Sequence, residues 1–216
     1  MRIAGVVEII ENCNVSVINN THFSRAFAIS KRDSEKYRLV VDFRKVNSRI
    51  KDMEIDFQEY TDSVESLLQS IPSTSKFHAS VDISDAFHQI PVRPVCYKYV
   101  GVTDGVRHYY YKFLPQGLLV NPYWWCYSIK LLLAHLVTAD INQLHLKGYS
   151  VYMDDIAIYG TTRDECQSRL DVLIKALEYL NIPINMKKVI PPSAKLDICG
   201  LEVEDGKWQM SQKHIA

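Results

Sequence analysis

The chain has 216 residues, of which 47% are hydrophobic and 23% are charged, a composition typical of a globular protein that buries a substantial core. No segment is long and apolar enough to span a bilayer. The first ten residues contain Arg2 and Glu8 and precede no cleavage site of small residues, so they make a poor signal peptide. Five scattered cysteines without zinc-ligand spacing argue against a zinc knuckle and fit reduced thiols. We therefore expect an intracellular protein that is not secreted.

The formal net charge is zero, with 25 basic and 25 acidic residues, whereas a domain that binds nucleic acid is usually basic. The distribution of charge is more informative than the total. Residues 31–51 contain eight basic and three acidic side chains, which gives this stretch a local charge of +5. Such a stretch is commonly a solvated surface, and it indicates nucleic-acid binding only beside a catalytic site.

Strand-like and helix-like segments alternate irregularly, which predicts an α+β fold. Residues 26–29 and 37–43 are predicted strands joined by a turn at 33–34. An Asp-x-x-Glu capping box at 62–65 predicts the start of a helix, which ends at Pro72.

The middle of the chain predicts a buried strand and a buried helix. Residues 77–83 have the apolar character of a buried strand, and the chain then turns at 84–85. A second helix is predicted to begin at Asn121 and Pro122, because Asn is a favourable N-cap and Pro is favoured at the first helical position. Residues 123–137 are apolar nearly all round, so we expect this helix to be central and buried.

The last third of the chain predicts two hairpins and a helix. Residues 149–159 alternate around Met153-Asp154-Asp155 as a hairpin would. Thr162 and Glu165 are predicted to cap a third helix. Its apolar residues fall on one stripe and are Cys166, Leu170, Leu173, Leu177 and Leu180. Near the end, an Asp-Gly pair lies between alternating residues in the segment 201–208, which is a strong hairpin signal.

The sharpest feature is the pair of adjacent carboxylates Asp154 and Asp155 between apolar strand residues. Asp is depleted in strands and neighbouring like charges repel, so this placement needs a compensating partner. A second pair, Asp82 and Asp85, follows the predicted strand at 77–83. Should Asp82 and Asp154 converge on neighbouring strands, they would form a hard, oxygen-rich site suited to Mg²⁺. Two such ions can activate a 3′-hydroxyl and stabilise a leaving pyrophosphate. The alternative is that both pairs only shape turns.

Three motifs follow one another along the chain, namely VDISDAF at 81–87, LPQG at 114–117 and YMDD at 152–155. Their order and spacing resemble those of retroviral and LTR-retroelement reverse transcriptases. The resemblance includes FAISKRD at 27–33, YRLVVDFR at 37–44, the lysines at 187–188 and GLE at 200–202. It covers essentially the whole chain, and the motifs together are highly specific.

The resemblance implies the fingers and palm of a right-hand polymerase, with the palm an antiparallel sheet backed by helices. It places the fingers at 1–57 and 90–120, the palm at 58–89 and 121–205, and the start of a truncated thumb at 206–216. Thumb, connection and RNase H domains are not expected in this chain. The implied activity is that of an RNA-directed and DNA-directed DNA polymerase, a nucleotidyltransferase.

The resemblance also implies a role for individual residues. The catalytic, metal-binding carboxylates are Asp82, Asp154 and Asp155, with two Mg²⁺ ions for which Mn²⁺ can substitute. The residues that would bind the incoming nucleotide are Lys31, Arg38, Asp85, Ala86, Phe87 and Gln116. Lys188 is a candidate general acid for the pyrophosphate, although the adjacent Lys187 leaves the register open. A primer grip is implied at Gly200, Leu201 and Glu202.

The implied nucleotide contacts differ in chemistry. Lys31 and Arg38 would clamp the phosphates through charge-assisted hydrogen bonds. Asp85 and Ala86 would offer backbone N–H groups. Phe87 would leave no room for a 2′-hydroxyl and so select deoxynucleotides, and Gln116 would contact the sugar. The structural alternatives are a core aromatic at 87, an ordinary turn at 116–117 and a solvated lysine pair at 187–188.

The expected partners are an RNA or DNA template with its primer and deoxynucleoside triphosphates, with no membrane, in the cytoplasm or a virion. Missing polyprotein domains and a homodimer both remain open. An RNA-dependent RNA polymerase is a second hypothesis, but it must accept the 2′-hydroxyl, which Phe87 disfavours. A non-enzymatic relic that binds protein or RNA is a third. Neutral charge and the short C-terminus favour the relic, whereas the intact set of motif residues argues against it.

Overall fold

The structure is a computed structural model that describes residues 7–9, 21–30, 35, 37–51, 67, 69–138, 148–198, 200–205 and 207–210, with the backbone alone at 7–9 and 136–138. Four sequence predictions lie wholly or mostly outside these residues: the turn at 33–34, the phosphate contact of Lys31, the helix start at 62–65 and the start of the thumb at 206–216.

Strands and helices are intermixed along the chain, which confirms the predicted α+β class. The strands are β1 (Val7–Ile9), β2 (Phe23–Ser30), β3 (Tyr37–Val41), β4 (Phe77–Asp82), β5 (Gly101–Thr103), β6 (His108–Tyr111), β7 (Tyr149–Tyr152), β8 (Asp155–Gly160), β9 (Ile190–Ser193), β10 (Lys195–Ile198), β11 (Leu201–Glu204) and β12 (Lys207–Met210). The α-helices with both ends in the described residues are α1 (Arg44–Lys51), α2 (Asn121–Thr138) and α3 (Arg163–Tyr179), and short 3₁₀ helices span Ala86–Gln89, Pro94–Tyr99 and Met186–Lys188. None of the described helices is long and apolar enough to cross a membrane.

The chain divides into two compact units, each made of two segments. Unit 1 comprises Met1–Phe57 and Phe87–Pro122, and unit 2 comprises Gln58–Ala86 and Tyr123–Ala216.

Unit 1 contains a five-stranded sheet in the order β1-β6-β5-β2-β3. The predicted pairing of the strands at 26–29 and 37–43 is confirmed, because β2 and β3 run antiparallel from Ala26 opposite Val41 to Ser30 opposite Tyr37. β3 ends two residues before the predicted end, where the Phe43 amide donates to the Val41 carbonyl at 3.1 Å and leads the chain into α1. The buried core of this unit comprises Val41, Phe43, Val92, Val100, Val102, Tyr111 and Leu118.

Unit 2 contains a four-stranded sheet in the order β7-β8-β4-β9, all of it antiparallel, and a three-stranded sheet in the order β10-β11-β12. Both predicted hairpins, β7–β8 and β11–β12, are confirmed. The buried strand predicted at 77–83 is β4, and Ser84 and Asp85 form the predicted turn. The helix that includes Leu67 and Ser70 ends before Pro72, as predicted.

Helix α3 begins and packs as its sequence predicts. The Thr162 hydroxyl accepts a hydrogen bond from the Glu165 amide at 3.1 Å, which satisfies one of the amides left unpaired at a helix start. The Glu165 carboxylate in turn accepts from the Thr161 amide at 2.7 Å. The predicted stripe is buried at Cys166, Leu170, Leu173 and Leu177, and the helix packs on β4, β8 and β9.

Helix α2 differs from the prediction in its burial. Trp125, Cys126, Ile129 and Leu133 are buried, but the opposite face is exposed, so the prediction of a helix buried all round is wrong. The exposed apolar side chains are Trp124, Tyr127, Leu131 and Leu132. When a helix is apolar on every side, its sequence does not indicate which face packs against a neighbouring element.

The N-terminal residue of α2 also differs from the prediction. Asn121 is buried and its side-chain amide donates to the Pro115 carbonyl. Its side-chain oxygen has no hydrogen-bond partner in the structure, so Asn121 does not cap the helix. The side chain that favours a cap in isolation is used instead to hold a preceding loop.

Candidate active site

The register of β4 against β8 brings the predicted carboxylates to one end of the sheet. Asp82 is the last residue of β4 and lies directly opposite Asp155, the first residue of β8. Asp154 precedes Asp155 in the turn from β7 and is exposed, whereas Asp155 is half-buried. Asp82 on β4, Asp155 on the adjacent strand β8 and Asp154 on the β7–β8 turn therefore lie at the same end of the sheet.

The YMDD segment forms the tip of the β7–β8 hairpin. Tyr152 pairs with Asp155, so Met153 and Asp154 make a two-residue turn. Met153 has a backbone φ of 51°, in the left-handed region that favours glycine. The Asp154 carbonyl accepts from the Ile83 amide at 2.8 Å, which ties the turn to the residue that follows β4.

Lys188 reaches the carboxylates from the loop after α3. The Asn185 amide donates to the Asp82 carbonyl at 2.9 Å, and the Lys188 amide donates to the Asn185 carbonyl at 2.8 Å. The Lys188 ammonium then donates to the Asp82 carboxylate at 2.8 Å. Of the two adjacent lysines, Lys188 is the one that contacts Asp82, and its role as the general acid stays a prediction.

Burial, with a smaller contribution from neighbouring charges, shifts the protonation of this cluster. Burial, followed by the charges of Asp154 and then Asp82, raises the pKa of Asp155 to about 6. The hydrogen bond to Asp82 is the largest cause of a raised pKa at Lys188, whose charge in turn opposes the rise at Asp155. The local field therefore favours an added cation.

The donor chemistry of this edge fits a hard divalent cation. Asp82, Asp154 and Asp155 offer only carboxylate oxygens, the ligands that Mg²⁺ prefers. Within the described part of the chain, however, no three such groups already converge as a metal-binding cluster. In the structure, the counter-charge in contact with Asp82 is the Lys188 ammonium.

The segment that follows β4 contains the next predicted nucleotide-binding residues. Asp85 is exposed with a backbone φ of 50°, a conformation that is uncommon outside glycine. Ala86 is buried and begins a 3₁₀ helix, in which Phe87 is half-buried. This intermediate burial leaves both interpretations of Phe87, a sugar contact and a core aromatic, as predictions.

Two asparagine side chains hold the loop that carries Gln116. Asn47 of α1 donates to the Gly117 carbonyl at 2.9 Å and accepts from the Leu119 amide at 2.8 Å. Asn121 binds the Pro115 carbonyl. Gln116 itself is exposed, and Gly117 has a φ of 92°, which requires a residue without a Cβ. Asn47 was not identified from the sequence, because its partners lie 70 or more positions away.

The described part of the basic stretch presents exposed cations. Arg38 on β3 is exposed, as are Lys45, Arg49 and Lys51 of α1. Arg44 differs, because its guanidinium forms two hydrogen bonds with the Asp42 carboxylate, at 2.8 and 2.7 Å. Lys31 lies outside the described residues.

The predicted primer grip lies where β10 turns into β11. Gly200 has a φ of 77°, and Leu201 and Glu202 begin β11, the middle strand of its sheet. Glu202 accepts from Lys195 at 2.7 Å and from Gln209 at 2.7 Å, so all three strands are linked by its side chain. Lys195 and Gln209 together lower the pKa of Glu202, the lysine contributing more.

Solved structures of a foamy viral protease-reverse transcriptase have a similar fold. The foamy viral protease-reverse transcriptase in complex with an RNA/DNA hybrid matches with a TM-score of 0.72 and 21% identity, over 97% of this chain and 25% of that chain. A second foamy viral structure, in complex with double-stranded DNA, gives a TM-score of 0.74 and 20% identity, over 97% of this chain and 33% of that chain. This similarity confirms the predicted reverse-transcriptase fold.

Sequence comparison defines the family. The reverse transcriptase (RNA-dependent DNA polymerase) family matches residues 29–210, and the chain therefore belongs to this family. Protein P of duck hepatitis B virus (strain United States/DHBV-16) is 26% identical over 199 residues, which cover 86% of this chain and 22% of that protein. The genome polyprotein of petunia vein clearing virus is 24% identical over 186 residues, which cover 85% of this chain and 8% of that protein.

The first prediction concerns Asn47. Asn47→Ala should lower the free energy of unfolding by about 1–2 kcal/mol relative to Ser48→Ala, because it removes two hydrogen bonds to the loop. Ser48→Ala is the matched control, since it makes the same gain in helix propensity in α1 without touching the loop.

Amide hydrogen exchange localises the effect. Leu119 should exchange faster in Asn47→Ala, whereas Asn47→Asp, which keeps the acceptor for the Leu119 amide, should protect it. Equal Leu119 exchange in wild type and Asn47→Ala would show that the loop is held by other contacts.

The second prediction concerns the protonation of Asp155. Its folded-state pKa of about 6 lies above the ordinary value of 3.8, so ionisation destabilises the folded chain as the pH rises from about 4 through 6. In EDTA at pH 8, Asp155→Asn should raise the free energy of unfolding by about 1–2 kcal/mol, a figure reduced for solvent screening. The gain should disappear near pH 4.

Denaturant unfolding across this pH range is the measurement. Asp171→Asn, at an exposed position on α3, controls for the loss of one negative charge. A gain for Asp155→Asn that is constant with pH would contradict the electrostatic explanation.

Proposed function

We propose that the chain is the catalytic core of an RNA-directed and DNA-directed DNA polymerase that adds deoxynucleotides to a primer 3′ end. The single observation that carries this proposal is the gathering of Asp82, Asp154 and Asp155 at one sheet edge, in a chain of the reverse transcriptase family. The solved structures with this fold include complexes with an RNA/DNA hybrid and with double-stranded DNA. Because the chain spans 22% of its duck hepatitis B virus relative, activity, substrates and partners are assigned to it only as proposals.

In this proposal, Asp82, Asp154 and Asp155 hold two Mg²⁺ ions, for which Mn²⁺ can substitute. Bound there, the ions would lower the pKa of the primer 3′-hydroxyl and stabilise charge on the leaving pyrophosphate. Asp82 and Asp154 would bind both ions, and Asp155, which is half-buried, would be the third carboxylate of the set. Lys188, which is already protonated beside Asp82, can give its proton to the pyrophosphate oxygen.

The nucleotide-binding roles follow from residue chemistry. The forked guanidinium of Arg38 and the ammonium of Lys31 bind phosphates, the backbone of Asp85 and Ala86 offers further donors, and Gln116 contacts the sugar. Gln116 is suited to this because Asn47 and Asn121 hold its loop. Gly200, Leu201 and Glu202 support the primer.

Unit 1 corresponds in this proposal to the fingers and unit 2 to the palm, with boundaries close to those predicted from the resemblance. The partners are then an RNA or DNA template with its primer, and deoxynucleoside triphosphates. Most contacts of such an enzyme go to phosphate and sugar, because any sequence must be accepted. An intracellular location, in cytoplasm or virion, accompanies this function.

The third prediction tests the carboxylates. The full chain should extend a DNA primer on an RNA template when supplied with deoxynucleotides and Mg²⁺ or Mn²⁺. Asp154→Asn should reduce the rate of single-nucleotide addition by about two orders of magnitude or more, because metal-ion stabilisation contributes several kcal/mol.

The control is Asp171→Asn, which keeps the oxygen that accepts from Gln167 on α3 and should retain wild-type extension. Undiminished extension by Asp154→Asn would remove the catalytic assignment. A wild-type chain that binds template but does not extend the primer would favour the non-enzymatic relic.

The fourth prediction tests the selection of the sugar. Phe87→Val should reduce discrimination against ribonucleotides by about tenfold or more, because a smaller side chain makes room for the 2′-hydroxyl. The measurement is the ratio of kcat/KM values for matched deoxy- and ribonucleotides.

Phe23→Val is the matched control, because Phe23 is another half-buried phenylalanine of unit 1. It should lower stability without altering the ratio. If Phe87→Val behaves like Phe23→Val, then Phe87 is a core residue and selection occurs elsewhere.

A further inference from the structure

The turn that presents Asp154 has an unfavourable backbone conformation. Its first residue, Met153, has a φ of 51°, although a methionine has no special tolerance of the left-handed region. Residues held in such conformations persist only where the surrounding structure fixes them. The contacts of this turn therefore decide whether Asp154 has one position or several.

Each of the two turn residues receives a hydrogen bond from outside the hairpin. The Asp154 carbonyl accepts from the Ile83 amide at 2.8 Å. The Met153 carbonyl accepts from the indole Nε1 of Trp125 at 2.6 Å. The first bond links the turn to the residue next to Asp82, and the second links it to helix α2.

Trp125 is suited to hold the turn. Trp125 is a residue of α2 and is only 2% exposed, so the packing around the buried side chain sets its position. An indole has one N–H donor and no acceptor, and a buried donor without a partner is costly. The bond to Met153 therefore satisfies the indole and at the same time restrains a strained backbone. Trp124, the neighbouring residue, is 47% exposed and serves as an internal comparison.

We propose that Trp125 is a positioning residue for the candidate active site: its indole N–H fixes the Met153 carbonyl and thereby sets where the Asp154 carboxylate lies relative to Asp82. The residue touches the backbone of the turn and none of the reacting atoms. The catalytic part of this inference rests on the proposed polymerase function, whereas the structural link between Trp125 and the turn that carries Asp154 does not.

The first test uses no catalysis. The chain has three tryptophans, so the ¹⁵N NMR spectrum of the full chain should contain three indole N–H signals. Trp125→Phe identifies one of them, which should exchange slowly with solvent and shift on titration with Mg²⁺. The indole signals of Trp124 and Trp208 should not shift. A Trp125 signal that exchanges rapidly, or that stays unmoved while the backbone amides of 153–155 shift, would overturn the proposal.

The second test separates positioning from nucleotide binding. Trp125→Phe should weaken Mn²⁺ binding, measured by calorimetry, and lower kcat for single-nucleotide addition, each by about tenfold, as is typical for residues that orient metal ligands. The KM for the deoxynucleotide should stay within about twofold, because the substitution leaves the residues proposed to bind the nucleotide unchanged. Trp124→Phe, the same chemical change one residue earlier, should leave kcat and Mn²⁺ affinity at the wild-type value.

A third variant isolates the hydrogen bond from the packing. Benzothienylalanine at position 125 has the shape of tryptophan with sulfur in place of N–H. It should reproduce the effects of Trp125→Phe on Mn²⁺ affinity and kcat, with a melting temperature lowered by only a few degrees for the lost hydrogen bond. Wild-type Mn²⁺ affinity and kcat in this variant would overturn the proposal even if Trp125→Phe fails to fold. An inactive wild-type chain would contradict only the polymerase function, since the NMR and calorimetric results still decide the role of Trp125.

Discussion

The antiparallel register of β4 against β8 is the constraint on which the candidate site depends. It places Asp82 opposite Asp155, and a slip of one residue would turn every side chain of one strand to the other face of the sheet. The register is fixed by apolar pairing further along the strands. Val81 lies opposite Ile156, and both are fully buried, so any slip would expose core side chains to water. Hydrophobic burial thus sets the separation of charged groups that would otherwise repel one another.

Bringing these like charges together is electrostatically unfavourable, and the consequences appear in the same residues. The pKa of Asp155 rises to about 6, and Lys188 supplies the counter-charge on Asp82. Backbone conformations uncommon outside glycine occur beside the carboxylates, at Asp85 and Met153. Departures from local rules are expected where function rather than stability selects the residue. Two other residues of unit 2, Asn181 and Asp205, also have a positive φ, so the ends of β4 and β7 are distinguished by the coincidence of this conformation with the raised pKa of Asp155.

Sequence patterns predicted those elements whose determinants are local. The cap at Thr162, the stripe of α3 and the β7–β8 hairpin each depend on residues a few positions apart, and all were predicted correctly. Helix α1 was not predicted, because it has eight residues, buries none of them fully and places only Val46 and Ile50 against the core. The partners of Lys188 and Asn47 lie 106 and 70 positions away, so only the folded chain reveals them. The exposed face of α2 was not predicted for a related reason. The apolar composition of the segment is compatible with burial on any side, but the face that is buried depends on which elements pack against the helix.

The distribution of basic side chains, rather than the net charge of the chain, determines how the protein interacts with a polyanion. The first turn of α1 contains no acidic residue, and the ion pair of this helix seen among the described residues is that of Arg44 with Asp42. Burial is the largest cause of the lowered pKa of His22, and the charges of Lys45 and Arg49 lower it further. The positive potential of α1 therefore affects the protonation of a neighbouring side chain. At physiological ionic strength, potentials decay over roughly 8 Å. A phosphate backbone at contact distance would therefore respond to α1 and Arg38 rather than to the acidic residues elsewhere, and the net charge of zero carries little weight against such binding.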